Sequence, residues 1–232
     1  MSKSIDFHAH IVPFADHGCA SPEEAAKQLL MMHKAGIQTV VATPHFYPAQ
    51  DNVDEYIACI DDGIRALMSV FPEHAPKIFL GSEILLCPSI HKMPGFDKLC
   101  IRGTNVCLLE LPINGCTDDL FETVDDILSL GYTVVLAHIN RYLSSFADQI
   151  ECLLDMGALA QINATSLKGF WSRRRLLPYL ESGCVVALGS DLHGQDQKTM
   201  DAFAALSKLP NDLFARICEK SAELLAEAKE VK

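Results

Sequence analysis

Nowhere in the chain do about 18 apolar residues follow one another without a charge, the length a membrane-spanning helix needs, so no membrane insertion is expected. Excess positive charge is missing too. Lys and Arg number 19 against 30 Asp and Glu, and the formal net charge of −11 disfavours nucleic acid as a partner. Paired cysteine motifs are absent: the cysteines, 9 in all, form no Cys-x-x-Cys and are irregularly spaced, which disfavours a thiolate zinc site or a redox pair. Those inside apolar runs behave as small hydrophobes. The chain also lacks internal repeats, low-complexity tracts and linkers. Met1-Ser2-Lys3-Ser4 leads straight into an apolar run and leaves no room for a signal peptide, so a cytoplasmic location is expected.

What is present is a regular alternation. A length of 232 residues is short for two full domains and suits one α/β barrel of about 250 residues, so a single domain over 1–232 is expected. The hydrophobic content of 49% fits parallel strands covered on both faces. Between strand-like runs lie helical segments with readable ends. Ser21-Pro22-Glu23-Glu24 is a capping box with proline at the first helical position, and Gly36 closes that helix. Further helices are expected over about Val53–Val70, from Thr117 to Gly131, over Ser145–Met156, over Arg174–Ser182 and over Asn211–Lys229. Leu86–Arg102, with Pro88, Pro94 and Gly95, reads as neither strand nor regular helix. The expected fold is an α/β barrel of seven parallel strands rather than eight.

The strand-like runs share a feature at their ends. They close on His8-Ala9-His10, His45, Glu83, Glu110, His138 and Ser190-Asp191-Leu192-His193; only Leu159-Ala160-Gln161-Ile162-Asn163 ends in a neutral amide. In a parallel barrel these ends open on one face, where active sites are built. Residues i and i+2 of a strand point the same way, so His8 with His10, and Asp191 with His193, face the barrel mouth together. Burying so many ionisable groups without ions would be costly. An all-nitrogen-and-oxygen donor set suits manganese, iron, zinc or magnesium. It is large enough for two or three ions, with Glu83 or Glu110 bridging them. His33, His74 and His91 fall outside this pattern and are expected to be packed or solvated.

With these motifs in place, His-x-His, Thr43-Pro44-His45, Leu109-Glu110, Ala137-His138 and Ser190-Asp191-Leu192-His193, the chain resembles the PHP (polymerase and histidinol phosphatase) superfamily. It is most similar to the PHP-type protein-tyrosine phosphatases of bacterial capsule and exopolysaccharide genes. The similarity spans nearly the whole chain to about residue 225. It implies a distorted seven-stranded, TIM-like barrel with three ions, usually manganese, held by His8, His10, His45, Glu83, Glu110, His138, Asp191 and His193. The family adds a ligand in an Asp-Asp-Gly segment, here Asp16-His17-Gly18, and His17 is favoured over Asp16. A substrate-binding arginine three residues beyond the fifth-strand histidine matches Arg141, although Ile139-Asn140 replaces the usual Pro-Glu. Lys198 stands near the place of a second arginine, and lysine lacks arginine's planar two-pronged donor geometry.

The expected chemistry is phosphomonoester hydrolysis by metal-activated water. Arg141 would bind the phosphoryl group, and the leaving phenolate would be protonated by His10, His193 or another group of the ligand shell. The basic cluster Lys168 to Arg175 follows the sixth strand; Arg173 and Arg174 there are candidates for attracting an acidic phosphopeptide, the alternative being an ordinary solvated helix start. Phe170 and Trp171 could wall in a phenyl ring or simply anchor the loop. The resemblance implies a partner, an autophosphorylating tyrosine kinase, while oligomeric state stays open. The competing expectations are a histidinol-phosphate phosphatase and a non-catalytic metal-binding regulator. An amidohydrolase is disfavoured because Glu110 and Asn163 stand where that group uses lysine and histidine.

Overall fold

The computed structural model describes residues 4–206 and 211–231. Met1–Lys3, on which the expectation of no leader rests, lie outside them. In chain order the elements are β1 (Ser4–His10), α1 (Pro22–Lys34), β2 (Ile37–Ala42), β3 (His45–Phe46), α2 (Val53–Met68), β4 (Lys77–Leu80) and β5 (Glu83–Leu85). They continue with β6 (Val106–Glu110), α3 (Asp118–Ser129), β7 (Thr133–Leu136), α4 (Ala147–Asp155), β8 (Leu159–Asn163) and α5 (Phe170–Ser182). The last are β9 (Val185–Gly189), β10 (Leu192–His193), α6 (Gln197–Leu206) and α7 (Asn211–Leu224).

All named strand pairs are parallel, in two ladders ordered β10-β1-β2-β4 and β3-β5-β6-β7-β8-β9. Ten strand segments arise from the seven expected runs because three runs are broken. The chain passes from one ladder to the other at Thr43-Pro44, at Gly81-Ser82 and at Ser190-Asp191. Proline cannot donate to a ladder, yet neighbouring groups keep the seams joined: Thr43 N–H donates to the Ala9 carbonyl at 2.9 Å and Asp191 N–H to the His8 carbonyl at 2.8 Å. The expected α/β architecture of seven parallel runs is present, carried by two ladders, with its irregularity concentrated where His45, Glu83 and His193 follow a break.

Side chains alternate between two buried clusters, as strand geometry requires. Val40, Ala42, Cys107, Leu109, Val134 and Leu136 join the larger one, which includes the inner faces of the helices. Their neighbours Val41, Val106, Leu108 and Val135 join a smaller cluster with Ile5, Phe7 and Leu225. After α7 the tail lies along β4. Val231 N–H donates to the Ile78 carbonyl at 2.9 Å, and Lys77 pairs with Glu230 at 2.7 Å.

Helix ends follow the sequence signals. The Ser21 hydroxyl accepts from Glu24 N–H, and Asn52 caps α2 through the N–H groups of Asp54 and Glu55. Three details depart from expectation. Helix α5 starts at Phe170, so the basic residues occupy its first turns instead of preceding it. Helix α6 was not foreseen; its start is held by Asp196, which accepts from Lys198 N–H and the Thr199 hydroxyl. His91, expected to be solvated, is 5% exposed at its side chain and faces Asp126 at 3.4 Å, because Ile90–Lys92 forms a short 3-10 turn packed on α3.

Gly189 shows how tightly the mouth is built. A Cβ there would meet Gln161 Nε2 at 2.4 Å and the His8 Cβ at 2.6 Å. Gly189→Ala is expected to cost about 1–3 kcal/mol of stability by overpacking, read by denaturant unfolding; an unchanged midpoint would show that β8 and β9 yield freely.

Candidate metal centre

The strand ends bring their His, Asp and Glu side chains to one place. His8, His10, Glu83 and His138 are fully or almost fully buried, and Asp191 and His45 nearly so. One carboxylate lies at the middle. Glu83 Oε2 is 3.1 Å from His8 Nε2, 3.3 Å from His10 Nε2 and 2.9 Å from His45 Nδ1, while Oε1 is 2.6 Å from His138 Nε2. Asp191 Oδ1 lies 3.5 Å from His10 Nε2 and 3.8 Å from His8 Nε2. Glu110 Oε1 closes the far side, 3.6 Å from His138 Nε2.

Partners behind the cluster fix which ring nitrogen faces inward. Gln161 Oε1 accepts from the His138 backbone N–H at 2.6 Å, which sets its amide orientation. The same oxygen lies 3.2 Å from His8 Nδ1, so Nδ1 carries the proton and Nε2 presents a lone pair. Asp16 Oδ2 does this for His10, 2.6 Å from its Nδ1. For His193 the backbone carbonyl of Asp191, 3.1 Å from Nδ1, plays that part. Gln161 also donates to Asn163, which donates to Asp191 Oδ2 at 2.9 Å, so the neutral strand end orients an acidic one.

The result is an excess of acceptors. His8 Nε2 and His10 Nε2 face each other at 3.1 Å, and with no ion between them the surrounding carboxylates raise both rings against their burial, toward the protonated form. His45 Nδ1, Glu83 Oε2, Asp191 Oδ1 and His193 Nε2 are buried without a hydrogen-bond partner. Donor atoms about 3.0–3.5 Å apart are what a cation with bonds of about 2.0–2.2 Å leaves between its ligands. The residues present fit metal binding. Among the described residues four overlapping triads have the needed closeness: His8, His10 and Asp191; His8, Glu83 and His138; His45, Glu83 and Glu110; His10, His45 and His193.

Charge responds to this crowding. Burial alone would raise the Glu83 carboxyl, but the surrounding histidines, His8 foremost, hold it well below the usual range. Asp191 is likewise depressed against its burial by His10, His8 and Arg141. His193 is pulled to about 4 by burial and by His10 beside it, which keeps its ring neutral and able to bind a cation. Burial and the nearby Glu83 push Glu110 the other way, upward.

Other candidate residues take different places. Arg141 reaches the rim, pairing with Asp191 and lying 3.6 Å from Glu110. Asp16 is tucked behind His10, whereas exposed His17 stacks over His193 and His45, with ring centres 4.6 and 5.2 Å away. Neither belongs to a triad. Lys198 is exposed on the first turn of α6, its carbonyl bonded by Lys168 Nζ. Arg173 and Arg174 are exposed on α5. Gln161 and Asp6 stand at the site without being among the residues expected there. Asp6 accepts from His8 N–H and Ser190 N–H, and burial raises its carboxyl to about 6. The signal was available: Asp6 stands two residues before His8, and Gln161 two before Asn163, polar residues inside apolar strands.

The family described as capsular polysaccharide synthesis, CpsB/CapC, matches residues 4–221. The chain belongs to this family. The tyrosine-protein phosphatase CpsB of Streptococcus pneumoniae is 27% identical over 208 residues, covering 84% of each chain. Among solved structures, one described as YwqE from Bacillus subtilis and CpsB from Streptococcus pneumoniae, unique metal-dependent tyrosine phosphatases, aligns with a TM-score of 0.75 and 23% identity. It covers 97% of this chain and 95% of its own. The histidinol phosphate phosphatase of Lactococcus lactis subsp. lactis aligns at a TM-score of 0.55 and 13% identity, covering 93% and 94%. These likenesses show that the CpsB/CapC chain shares the fold of both. Among the described residues no helix is long and apolar enough to cross a membrane.

The outer partners carry a direct test. In this CpsB/CapC chain, Asp16→Ala is expected to weaken binding of a divalent cation by about 10–100-fold, measured by titration calorimetry with manganese as the probe. His17→Ala should change it far less; the reverse order would make His17 a ligand and Asp16 a bystander.

Proposed function

We propose that this CpsB/CapC-family chain is a metal-dependent protein-tyrosine phosphatase of capsule or exopolysaccharide synthesis. The observation that carries the reading is Glu83 Oε2, buried without a hydrogen bond among three imidazole nitrogens, with the Arg141 guanidinium beside the same cluster. The family description and the named activity of the pneumococcal relative support it. His8, His10, His45, Glu83, Glu110, His138, Asp191 and His193 would hold the ions. We take these to be three, manganese first, with iron, zinc or magnesium as alternatives of the same donor preference. Bound there, the ions supply Lewis acidity toward phosphoryl oxygens and lower the pKa of water toward neutrality.

The chain's own groups do the rest. Asp16, Gln161 and the Asp191 carbonyl hold protons on the outward ring nitrogens, which keeps the inward ones free. Glu83 touches ligands from β1, β3 and the end of β7, so it ties the two ladders together at the site. Arg141 offers a planar fork for phosphoryl oxygens at the rim. Of the two histidines considered for protonating the leaving phenolate, His10 is enclosed and His193, although partly open to solvent, is held neutral and would lend its free nitrogen to an ion, so the proton comes from solvent at the rim. Arg173, Arg174 and Lys198 supply positive charge outside the acidic mouth and would draw in an anionic phosphopeptide. The substrate we infer is a phosphotyrosyl protein, an autophosphorylating kinase in the cytoplasm.

Phosphate release from a phosphotyrosine peptide, histidinol phosphate and para-nitrophenyl phosphate, with manganese added, tests this. The peptide should be preferred to histidinol phosphate. Glu83→Gln and His138→Ala should each lower kcat more than about 100-fold, beyond what losing an outer partner costs. Turnover of histidinol phosphate alone would replace the reading with small-molecule phosphatase, and no turnover at all with a metal-binding regulator. Arg141→Lys should raise KM more than it lowers kcat, since lysine keeps the charge but loses the fork. KM for the peptide should rise in the Arg173→Ala, Arg174→Ala double variant; an unchanged value would leave these residues as a solvated helix start.

A further inference from the structure

A cavity of about 560 Å³ opens beside the cluster and shares Glu110 and Arg141 with it. Its wall is largely apolar, built from Leu85, Leu111, Tyr142 and Phe146. Tyr142 is buried, and its hydroxyl donates to the Leu111 carbonyl at 2.7 Å, which fixes the ring against the wall. The rim loop is held as firmly. Gln149 accepts from Cys116 N–H at 2.7 Å and donates to the Cys116 carbonyl at 3.2 Å. Gly115, at φ +83°, closes the turn onto the Pro112 carbonyl. A Cβ at Gly115 would lie 2.8 Å from the Phe146 ring, so the loop sits directly on that ring. At the rim Ile113 stands 86% exposed. A bare isoleucine on a loop clamped in place stands at the rim of an apolar cavity that borders the candidate site, and so offers an apolar surface beside it.

We propose that this cavity binds the aryl group of a phosphotyrosyl substrate, with Ile113 touching a neighbouring residue of the peptide. The inference rests on the phosphatase reading and deepens it. A phosphomonoester gripped at Arg141, on the cavity side of the cluster, can send its ester substituent either to solvent or into this cavity. A phenyl ring there exchanges water for Leu85, Leu111 and Phe146, and its burial adds affinity that a short alkyl group cannot match. Cavities of a few hundred Å³ lined mainly by apolar and aromatic groups are the common form of small-ligand sites. Selectivity for aryl over alkyl phosphomonoesters then resides in the wall, while the charged cluster serves both. Phe170 and Trp171, 71% and 75% exposed at the start of α5, line no part of it.

The test separates recognition from turnover by using non-hydrolysable phosphonates on the manganese-loaded full chain. Phenylphosphonate should bind about tenfold more tightly than methylphosphonate, measured by calorimetry. Phe146→Ala should erase most of that ratio without changing methylphosphonate affinity. Ile113→Asp, a surface change that leaves the core intact, should lower kcat/KM for a phosphotyrosine peptide about fivefold or more and that for para-nitrophenyl phosphate clearly less. Equal affinity for the two phosphonates, absence of binding by both, or equal losses on both substrates would overturn the proposal. Preference for phenylphosphonate without any hydrolysis would sink the phosphatase reading and leave the aryl site standing.

Discussion

Two imidazole nitrogens 3.1 Å apart, each ring anchored through its other nitrogen, need positive charge between them in a dry interior, a proton or a bound cation. Much else in the molecule serves that constraint. Gln161 and Asp16 decide which nitrogen faces inward, and Gly189 lacks a side chain so that Gln161 and His8 can approach. Glu83 contributes the negative charge that a cation needs and the imidazoles lack. A buried ion pair is ordinarily weak evidence for stability, because desolvation offsets attraction. Here the arrangement makes sense as a receptacle, since orphaned acceptors are expensive unless something is bound to them.

The broken runs explain how one barrel end carries so many ligands. An unbroken strand shows alternate residues to the mouth, and only its last few positions are close enough to meet those of other strands. Interrupting a run at Thr43-Pro44, Gly81-Ser82 or Ser190-Asp191 lets the chain re-enter the neighbouring ladder one layer higher, with His45, Glu83 and His193 heading or ending the new segments. Unlike Pro44, which removes a donor, the glycine at the second break keeps its own: Gly81 N–H reaches the Ala42 carbonyl, and just past the break Glu83 N–H reaches the Pro44 carbonyl. The barrel is bent out of regularity in the places where a second tier of side chains is required.

Sequence patterns revealed the strand runs, most helix ends and the converging acidic and imidazole residues, because period-two alternation and end position are local properties. They did not reveal what lies behind those residues. Gln161 meets His8 across 153 positions of sequence, and no local pattern encodes that meeting. Asp16 and His17 are adjacent in sequence, yet Asp16 is tucked against His10 while His17 turns to solvent over His45 and His193, a distinction that no local pattern encodes. His91 looked like a loop residue because Pro88 and Pro94 flank it; its burial comes from the packing of a 3-10 turn on α3. Short α6 escaped notice since its ten residues carry no strong cap signal beyond Asp196. The two-residue segments β3 and β10 were legible as ligands but not as strands.

His138 and Asp191 adopt left-handed backbone at φ +31° and +55°, a conformation that side chains other than glycine rarely take. Each such residue typically stores about 1–3 kcal/mol. Glycine would relieve the strain and delete the donor, so neither position can be optimised for endurance and for chemistry at once. Attempts to raise the thermal ceiling of this molecule should therefore be directed at the outer helices, leaving the taut corners of the mouth untouched.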